Sequence, residues 1–395
     1  MGKKNVTYVW GLLICIYIFF NFAYTSFFPF ETMYLTHLGY KSADVAILSV
    51  STAIGNFLFQ FVVSFFLRKQ KRLGDVMMCF VALSIPFAFL LLLFHQSIFF
   101  VVLFVFPVTL FDFSCIGQLD GITVSLSKRF PEIEYSITRI FGSLAGVMAS
   151  FFLGRLYNSI GINWMFVVHG CIQICTLICL VILRRKFASD VVIERSEKSD
   201  IAFANRFSLL KKALPVIIGG TMVFLGWRAI FVYLPIIIES LGGTSSDFGN
   251  AMAIINASSM LALLIYPFIR KKIGLTPMII IGSTAMAIRW TLTAIAPSLS
   301  FVIWAQALDS IGFGFSQPAV IEIISSTVSK SDRDSLISIW TGTQMAFGTI
   351  LANIVVQCVS KFAGLQSSFV AFSLLAILGC IMVLGGYFKN RTYAI

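Results

Sequence analysis

Charge is what this sequence has least of. Asp, Glu, Lys and Arg together make up 12% of the 395 residues, 17 of them acidic against 29 basic. An ordinary soluble domain is about a quarter charged. At half that share there is too little polar surface to solvate a globule, so lipid must cover the outside. Histidine is nearly absent, at three residues. The chain has no His-Glu-x-x-His, no Gly-x-Ser-x-Gly and no carboxylate–histidine catalytic cluster, which leaves a membrane enzyme or a receptor without support. It also lacks a GxxxxGK[ST] loop, which excludes an ATP-driven pump contained in this chain. The eight Cys lie almost entirely inside apolar runs, so no disulfide framework is expected. Cys171, Cys175 and Cys179 form a helical stripe that reads as small-residue packing, since a metal site needs more polar company. No cofactor or metal is expected.

Apolar residues fill the space that charge leaves, at 58% of the chain. They come in runs of about 20 or more, enough to cross roughly 30 Å of hydrocarbon at about 1.5 Å per residue. The first run is too long for a signal-peptide core and is read as a retained helix. The runs predict helices near 7–34, 43–66, 75–95, 98–126, 136–157 and 163–183, then 213–238, 248–269, 276–296, 299–326, 335–359 and 366–388.

A formal net charge of +12 could suggest nucleic acid, but its placement argues against that partner. Lys and Arg cluster between alternate runs: Lys3 and Lys4, Arg68 to Arg72, Lys128 and Arg129, Arg184 to Lys212, Arg270 to Lys272, Lys330 and Arg333, then Lys389 and Arg391. The opposite loops hold little beyond Lys41 and Lys361. By the positive-inside rule both termini are cytoplasmic, which demands an even number of helices. Residues 187–212, the only long polar stretch, read as a cytoplasmic tether between residues 1–186 and 213–395.

An internal repeat supports that division. Leu38-Gly39-Tyr40-Lys41-Ser42-Ala43-Asp44 matches Leu241-Gly242-Gly243-Thr244-Ser245-Ser246-Asp247. Leu67-Arg68-Lys69 echoes Ile269-Arg270-Lys271, and Asp112 with Gly117 echoes Asp309 with Gly314. The expected architecture is an all-α membrane protein with twelve transmembrane helices in two pseudo-symmetric six-helix bundles. Duplicated halves of this kind hold a solute site near the midplane.

Charges inside the membrane carry the functional reading, because each costs a few kcal/mol unless it has a partner, water or a task. By helix rise Arg228, Arg289 and Asp309 are roughly level. A buried Asp–Arg pair is the minimum that tolerates both charges. It is either a static lock between two helices or a device in which Asp309 binds and releases a proton as a cation approaches and leaves. Asp120 and Arg139 flank a short loop and can face each other, as a solute anchor or as a salt bridge near the interface. Asp112 either faces the cavity with the solute-binding residues or satisfies a polar core. His169 reads as a hydrogen-bonded core histidine before a proton shuttle. Glu31, Arg155, Glu239 and Glu322 sit near helix ends, where side chains reach water. Trp227-Arg228 and Arg289-Trp290 set aromatics beside cations, an arrangement that suits a solute ring.

With these residues in view, the chain resembles the major facilitator superfamily, and within it the lactose-permease and phenylpropionate-permease group of proton symporters. Glu134-Tyr135-Ser136-Ile137-Thr138-Arg139-Ile140-Phe141-Gly142-Ser143 is similar to the start of the group's fifth helix. The resemblance implies that Asp120 and Arg139 hold solute hydroxyls. Ala287-Ile288-Arg289 matches the Arg associated with proton release, and Gln306-Ala307-Leu308-Asp309 resembles the tenth-helix stretch, with Asp309 in place of a histidine. Departures are clear: Gly146 stands where the group has a sugar-stacking Trp, the eighth helix has no membrane carboxylate, and the acid one turn after Asp309 is missing. The loop after the second helix keeps its basic residues but has lost the superfamily's Gly and Asp. The fifth helix contains no Pro between Phe141 and Gly154, unlike the drug-antiporter pattern.

The expected function is alternating-access transport of a small organic solute (sugar, nucleoside or aromatic acid) by proton symport in the cell membrane. A proton-driven exporter of the same fold is the alternative. Asp120, Arg139, Asp112, Trp227 and Arg228 are the expected solute contacts, and Asp309 with Arg289 the coupling pair. A proton gradient is the expected driving force, the small-molecule solute and the lipid bilayer the expected partners, and a monomer the expected working unit.

Overall fold

The computed structural model describes residues 3–69, 73–94, 98–130, 132–187, 203–326 and 333–392. Residues 188–202 of the expected tether, with Lys71, Arg72 and Lys330 of the basic loops, lie outside the described residues. Among the described residues the chain is all helix, with 12 segments long and apolar enough to span a membrane. In chain order the α-helices are α1 (Lys3–Phe27), α2 (Glu31–His37), α3 (Ser42–Lys69), α4 (Leu73–Phe94), α5 (Ile98–Arg129), α6 (Tyr135–Ile160), α7 (Met165–Phe187) and α8 (Phe203–Val223). There follow α9 (Leu225–Ser240), α10 (Ser245–Ile273), α11 (Leu275–Ile295), α12 (Leu299–Ala305), α13 (Asp309–Ser326), α14 (Arg333–Ala363) and α15 (Phe369–Thr392).

Three spans expected as single helices are broken. Lys3–His37 is interrupted by a 3₁₀ turn at Phe28–Phe30, where Pro29 has no N–H to continue the α ladder. The span from α12 to α13 passes through a second 3₁₀ turn, Gln306–Leu308. There the Gln306 side-chain amide donates to the Val302 carbonyl at 2.9 Å, competing with the backbone for that acceptor. α8 and α9 are separated at Phe224, between Gly219-Gly220 and Gly226, residues of low helix propensity. α8 also begins at Phe203, so the helix reaches well into the stretch read as tether.

The repeat in the sequence is a repeat in the backbone. Gly39 (φ 87°) and Gly242 (φ 77°) both adopt the left-handed conformation that ends a helix. Gly39 N–H donates to the Thr36 carbonyl and Tyr40 N–H to Leu35. Gly242 N–H likewise donates to Glu239 and Gly243 N–H to Ile238, so each half closes its first span with the same Schellman motif.

The chain forms two compact units. The first comprises Met1–Lys41, Ile54–Arg195 and Thr244–Asn256, and the second Ser42–Ala53, Ser196–Gly243 and Ala257–Ile395. The short segments assigned outside their own sequence half, at the starts of α3 and α10, follow the two matching repeat loops. In the first unit the start of α10 sits on α6. A Cβ added to Gly154 would lie 2.8 Å from the Gly249 Cα, and Arg155 donates to Asn250 Oδ1 at 3.0 Å. Without a hydrophobic force between helices in lipid, such small-residue contacts hold them together. Gly154→Val should therefore lower stability by about 2 kcal/mol through overpacking, read as a depressed thermal-unfolding midpoint in detergent.

The core of the first unit runs along α1, where Val9, Leu13, Ile16, Tyr17 and Phe20 pack against Met77, Val81, Leu119, Ile122 and Leu180. Large apolar side chains also face outward, among them Phe99, Phe268, Trp304 and Leu374, as a lipid-covered surface requires. The cysteine stripe is graded: Cys171 is exposed, Cys175 half-buried, and Cys179 half-buried against the core.

Candidate functional site

In the first unit α1, α5 and α6 enclose a cavity of about 120 Å³ lined by Tyr17, Phe20, Asn21, Ile116, Leu119, Asp120, Arg139 and Ser143. Asp120 and Arg139 meet there, with Arg139 Nη1 3.3 Å from Asp120 Oδ2. Tyr17 Oη donates to Asp120 Oδ1 at 2.7 Å, and Arg139 also donates to Tyr135 Oη. Arg139 keeps 56% of its side chain exposed and Asp120 27%, so both can exchange these contacts for a ligand. α6 approaches α1 closely because Gly142 has no Cβ; one there would collide with Asn21 and Tyr17. Trp10 Nε1 donates to Thr138 Oγ1 at 2.9 Å and fixes the first turn of α6. Tyr17 and Asn21 went unnoticed in the sequence, where two polar residues one turn apart on an otherwise apolar helix were the available signal.

Asp112, expected near the solute, does not line this cavity. It is buried about two turns before Asp120 along α5, accepting from Ser84 Oγ (2.9 Å) and Gln173 Nε2 (3.0 Å), with His169 Nε2 at 3.3 Å. Gly146 does not leave an empty slot for a ring either, since a Cβ there would already touch Thr25 Oγ1 at 3.5 Å.

In the second unit Arg289 of α11 and Asp309 of α13 form an ion pair with both side chains fully buried. Asp309 is the first residue of α13, just past the Gln306–Leu308 break. Arg289 donates from Nε (3.0 Å) and Nη2 (2.8 Å) to Gln306 Oε1, and Gln306 Nε2 reaches Thr293 Oγ1 at 3.3 Å. Ser259 of α10 donates to the second carboxylate oxygen of Asp309. One positive and one negative charge therefore balance in a dry site where neither could stay alone. Gln306 was quoted in the sequence motif without a role; it is the neutral side chain that holds the guanidinium in place.

The aromatic–cation pairs pack against neighbouring aromatic rings. Trp227 stacks on Phe313 (4.8 Å, 21° between planes) with Phe231 at its edge, and the Arg228 guanidinium lies 4.8 Å from the Trp227 ring. Trp290 is fully buried against Gly226, where a Cβ would lie 2.5 Å from Trp290 Cε2. Toward the other end of α13, Glu322 accepts from Arg270 Nε and from Tyr266 Oη, each at 2.8 Å. No group of three or more His, Cys, Asp or Glu suited to a metal ion occurs among the described residues.

Comparison with known proteins agrees with this architecture. The MFS_1 like family matches residues 10–371. The agnestins efflux protein AgnL12 of Paecilomyces divaricatus is 24% identical over 323 residues, covering 79% of this chain and 70% of that protein. The uncharacterized transporter YwbF of Bacillus subtilis (strain 168) is 21% identical over 289 residues, 69% of each. A variant of the nucleoside transporter NupG superposes with a TM-score of 0.81 at 12% identity, covering 96% of this chain and 99% of that one. The POT family transporter PepTSo gives a TM-score of 0.74 at 13% identity, covering 97% and 98%. At these identities the structures speak for the fold alone. With the family match extending over most of its length, the chain belongs to the MFS_1 like family and is a multi-pass membrane transporter of the major facilitator type.

Proposed function

We propose that the protein moves a small polyhydroxylated solute, of the sugar or nucleoside class, across the cell membrane by proton-coupled symport, with both termini cytoplasmic. The observation that carries the coupling is the fully buried Arg289–Asp309 pair at a helix break. While Arg289 is in place, Asp309 is balanced without a proton. When the helices shift and Arg289 withdraws from Asp309, the buried carboxylate must be neutralised, and a proton is the available partner. Alternation between these two partners links a proton to each conformational cycle.

The solute reading rests on the cavity at Asp120 and Arg139. Asp120 accepts from hydroxyls, Arg139 donates to hydroxyl oxygens, and Phe20 offers an apolar flank. The resemblance to the lactose-permease group agrees with this class. An aromatic acid, the third class suggested by the sequence, uses Arg139 but leaves Asp120 repelling its carboxylate. Export is the second reading, favoured by the relative named as an efflux protein.

A thermal-shift screen of sugars, nucleosides and aromatic acids on the purified protein identifies the solute, since a bound ligand stabilises the folded state. Counterflow of the hit in proteoliposomes then establishes transport, and stabilisation by aromatic acids alone overturns the polyhydroxylated assignment. Tyr17→Phe removes one hydrogen bond to Asp120 and should weaken solute binding by about 1 kcal/mol, roughly fivefold, in a titration of the same protein.

A further inference from the structure

Outside both sites, α4, α5, α7 and the end of α1 bury a second acid–base cluster in the first unit: Asp112, His169, Ser84 and Gln173. Its hydrogen atoms can be counted. His169 Nδ1 lies 3.0 Å from the Ala23 carbonyl, which can only accept, so Nδ1 carries a hydrogen. Ser84 gives its single hydrogen to Asp112 Oδ1 at 2.9 Å, and Gln173 donates to the same oxygen at 3.0 Å. His169 Nε2 then faces Asp112 Oδ2 at 3.3 Å, an oxygen with no hydrogen of its own, and lies 3.2 Å from Ser84 Oγ. A bare Nε2 lone pair against a carboxylate is repulsive. One further proton, on Nε2 or on Oδ2, makes the contact attractive and leaves the pair with no net charge in a dry site.

We propose that Asp112 and His169 form a second proton-binding site, holding one exchangeable proton between them. The repeat supplies a separate argument. Asp112 and Asp309 occupy matching places in the duplicated sequence, each followed five residues later by Gly, at Gly117 and Gly314. Each acid is buried, accepts from a serine (Ser84 or Ser259), and faces a basic side chain (His169 or Arg289) in a cluster with a glutamine (Gln173 or Gln306). The halves differ in the base: a guanidinium keeps its charge, whereas an imidazole gains and loses a proton near neutral pH.

The surroundings suit a proton that comes and goes. Among the described residues no Lys or Arg pairs with Asp112; the thiol of Cys115 on α5 is a further titratable neighbour, itself beside Cys79 on α4. α1 contributes the Ala23 carbonyl and the Phe27 ring, 5.4 Å from the imidazole, and α7 the Gln173 amide. Ala23 lies in the last turn of α1 before the Phe28–Phe30 break. The proton therefore ties α7 to α5 beside the broken end of α1, and its loss releases the contact between His169 and Asp112.

The test needs no solute and stands apart from the Asp309 reading. His37→Gln with His95→Gln leaves His169 as the sole histidine and the pair intact. Nitrogen-15 NMR of this full-length protein in lipid nanodiscs, titrated from about pH 5 to about pH 9, reports both ring nitrogens. The expected result is an Nε2 signal passing from proton-bound to bare while Nδ1 stays protonated. Asp112→Asn in the same background should abolish that passage, and the milder Ser84→Ala should move its midpoint. Asp309→Asn should leave it in place, so failure of the coupling reading and failure of this one are separable. An Nε2 signal constant across the range, a neutral ring with Nδ1 bare, or a passage unchanged by Asp112→Asn overturns the proposal.

Discussion

Asp309→Asn is expected to transport without accumulating. In proteoliposomes under an inward pH gradient of about one unit, one-to-one proton symport can build about a tenfold solute gradient, worth about 1.4 kcal/mol. The amide keeps the size of the carboxylate and can still accept from Ser259, but it neither binds a proton nor needs Arg289 as a counter-charge. The variant should therefore show solute counterflow, which requires only alternation of the loaded carrier, together with loss of the tenfold accumulation. Arg289→Ala is the complementary change. It leaves Asp309 buried without its cation, a break worth about 3–5 kcal/mol where the charge stays uncompensated. If a proton takes the place of Arg289 the protein survives with Asp309 permanently neutral, and its transport should no longer respond to pH. Either variant with full gradient-driven accumulation would remove Asp309 from the coupling step.

Arg139→Ala carries the other large effect. Its guanidinium reaches the cavity with more than half of its side chain exposed, and its contacts to Asp120 and Tyr135 are ones a ligand can replace. A hydrogen bond to a charged group contributes about 1.5–3 kcal/mol, so solute affinity should fall roughly 10- to 100-fold, measured as the concentration dependence of the thermal shift. Stability should change little, because a pair this exposed contributes at most about 1 kcal/mol to folding. Arg139→Lys should recover part of the affinity, since a point charge replaces the two-pronged donor imperfectly. Unchanged affinity in Arg139→Ala would place the solute elsewhere.

The sequence carried the architecture because a membrane writes it in one dimension. Span length, apolar runs and basic loops do not depend on which helix touches which, and the twelve spans lie where those runs predicted them. The Leu-Gly repeat was equally legible, since a left-handed residue at Gly39 and Gly242 is a local backbone requirement. Asp120 with Arg139 and Arg289 with Asp309 meet as helix rise and short loops suggested. What stayed hidden depends on three-dimensional partners. Nothing local marks His169 as the neighbour of Asp112, because the two are joined only by the packing of α5, α4 and α7. The break at Gln306 depends on an amide that serves both the Val302 carbonyl and Arg289. Nothing local marks Phe313 as the stacking partner of Trp227, because it lies on another helix.

The divergence between the halves is the substance of the account: an exposed acid–base pair in a cavity of the first unit, and a fully buried one at a helix break in the second. The measurement that tests it most directly is the pH of a weakly buffered medium around proteoliposomes when the identified solute is added. Symport predicts alkalinisation outside that rises with solute and is absent in Asp309→Asn. No pH change, acidification, or an alkalinisation that persists unaltered in Asp309→Asn would contradict it.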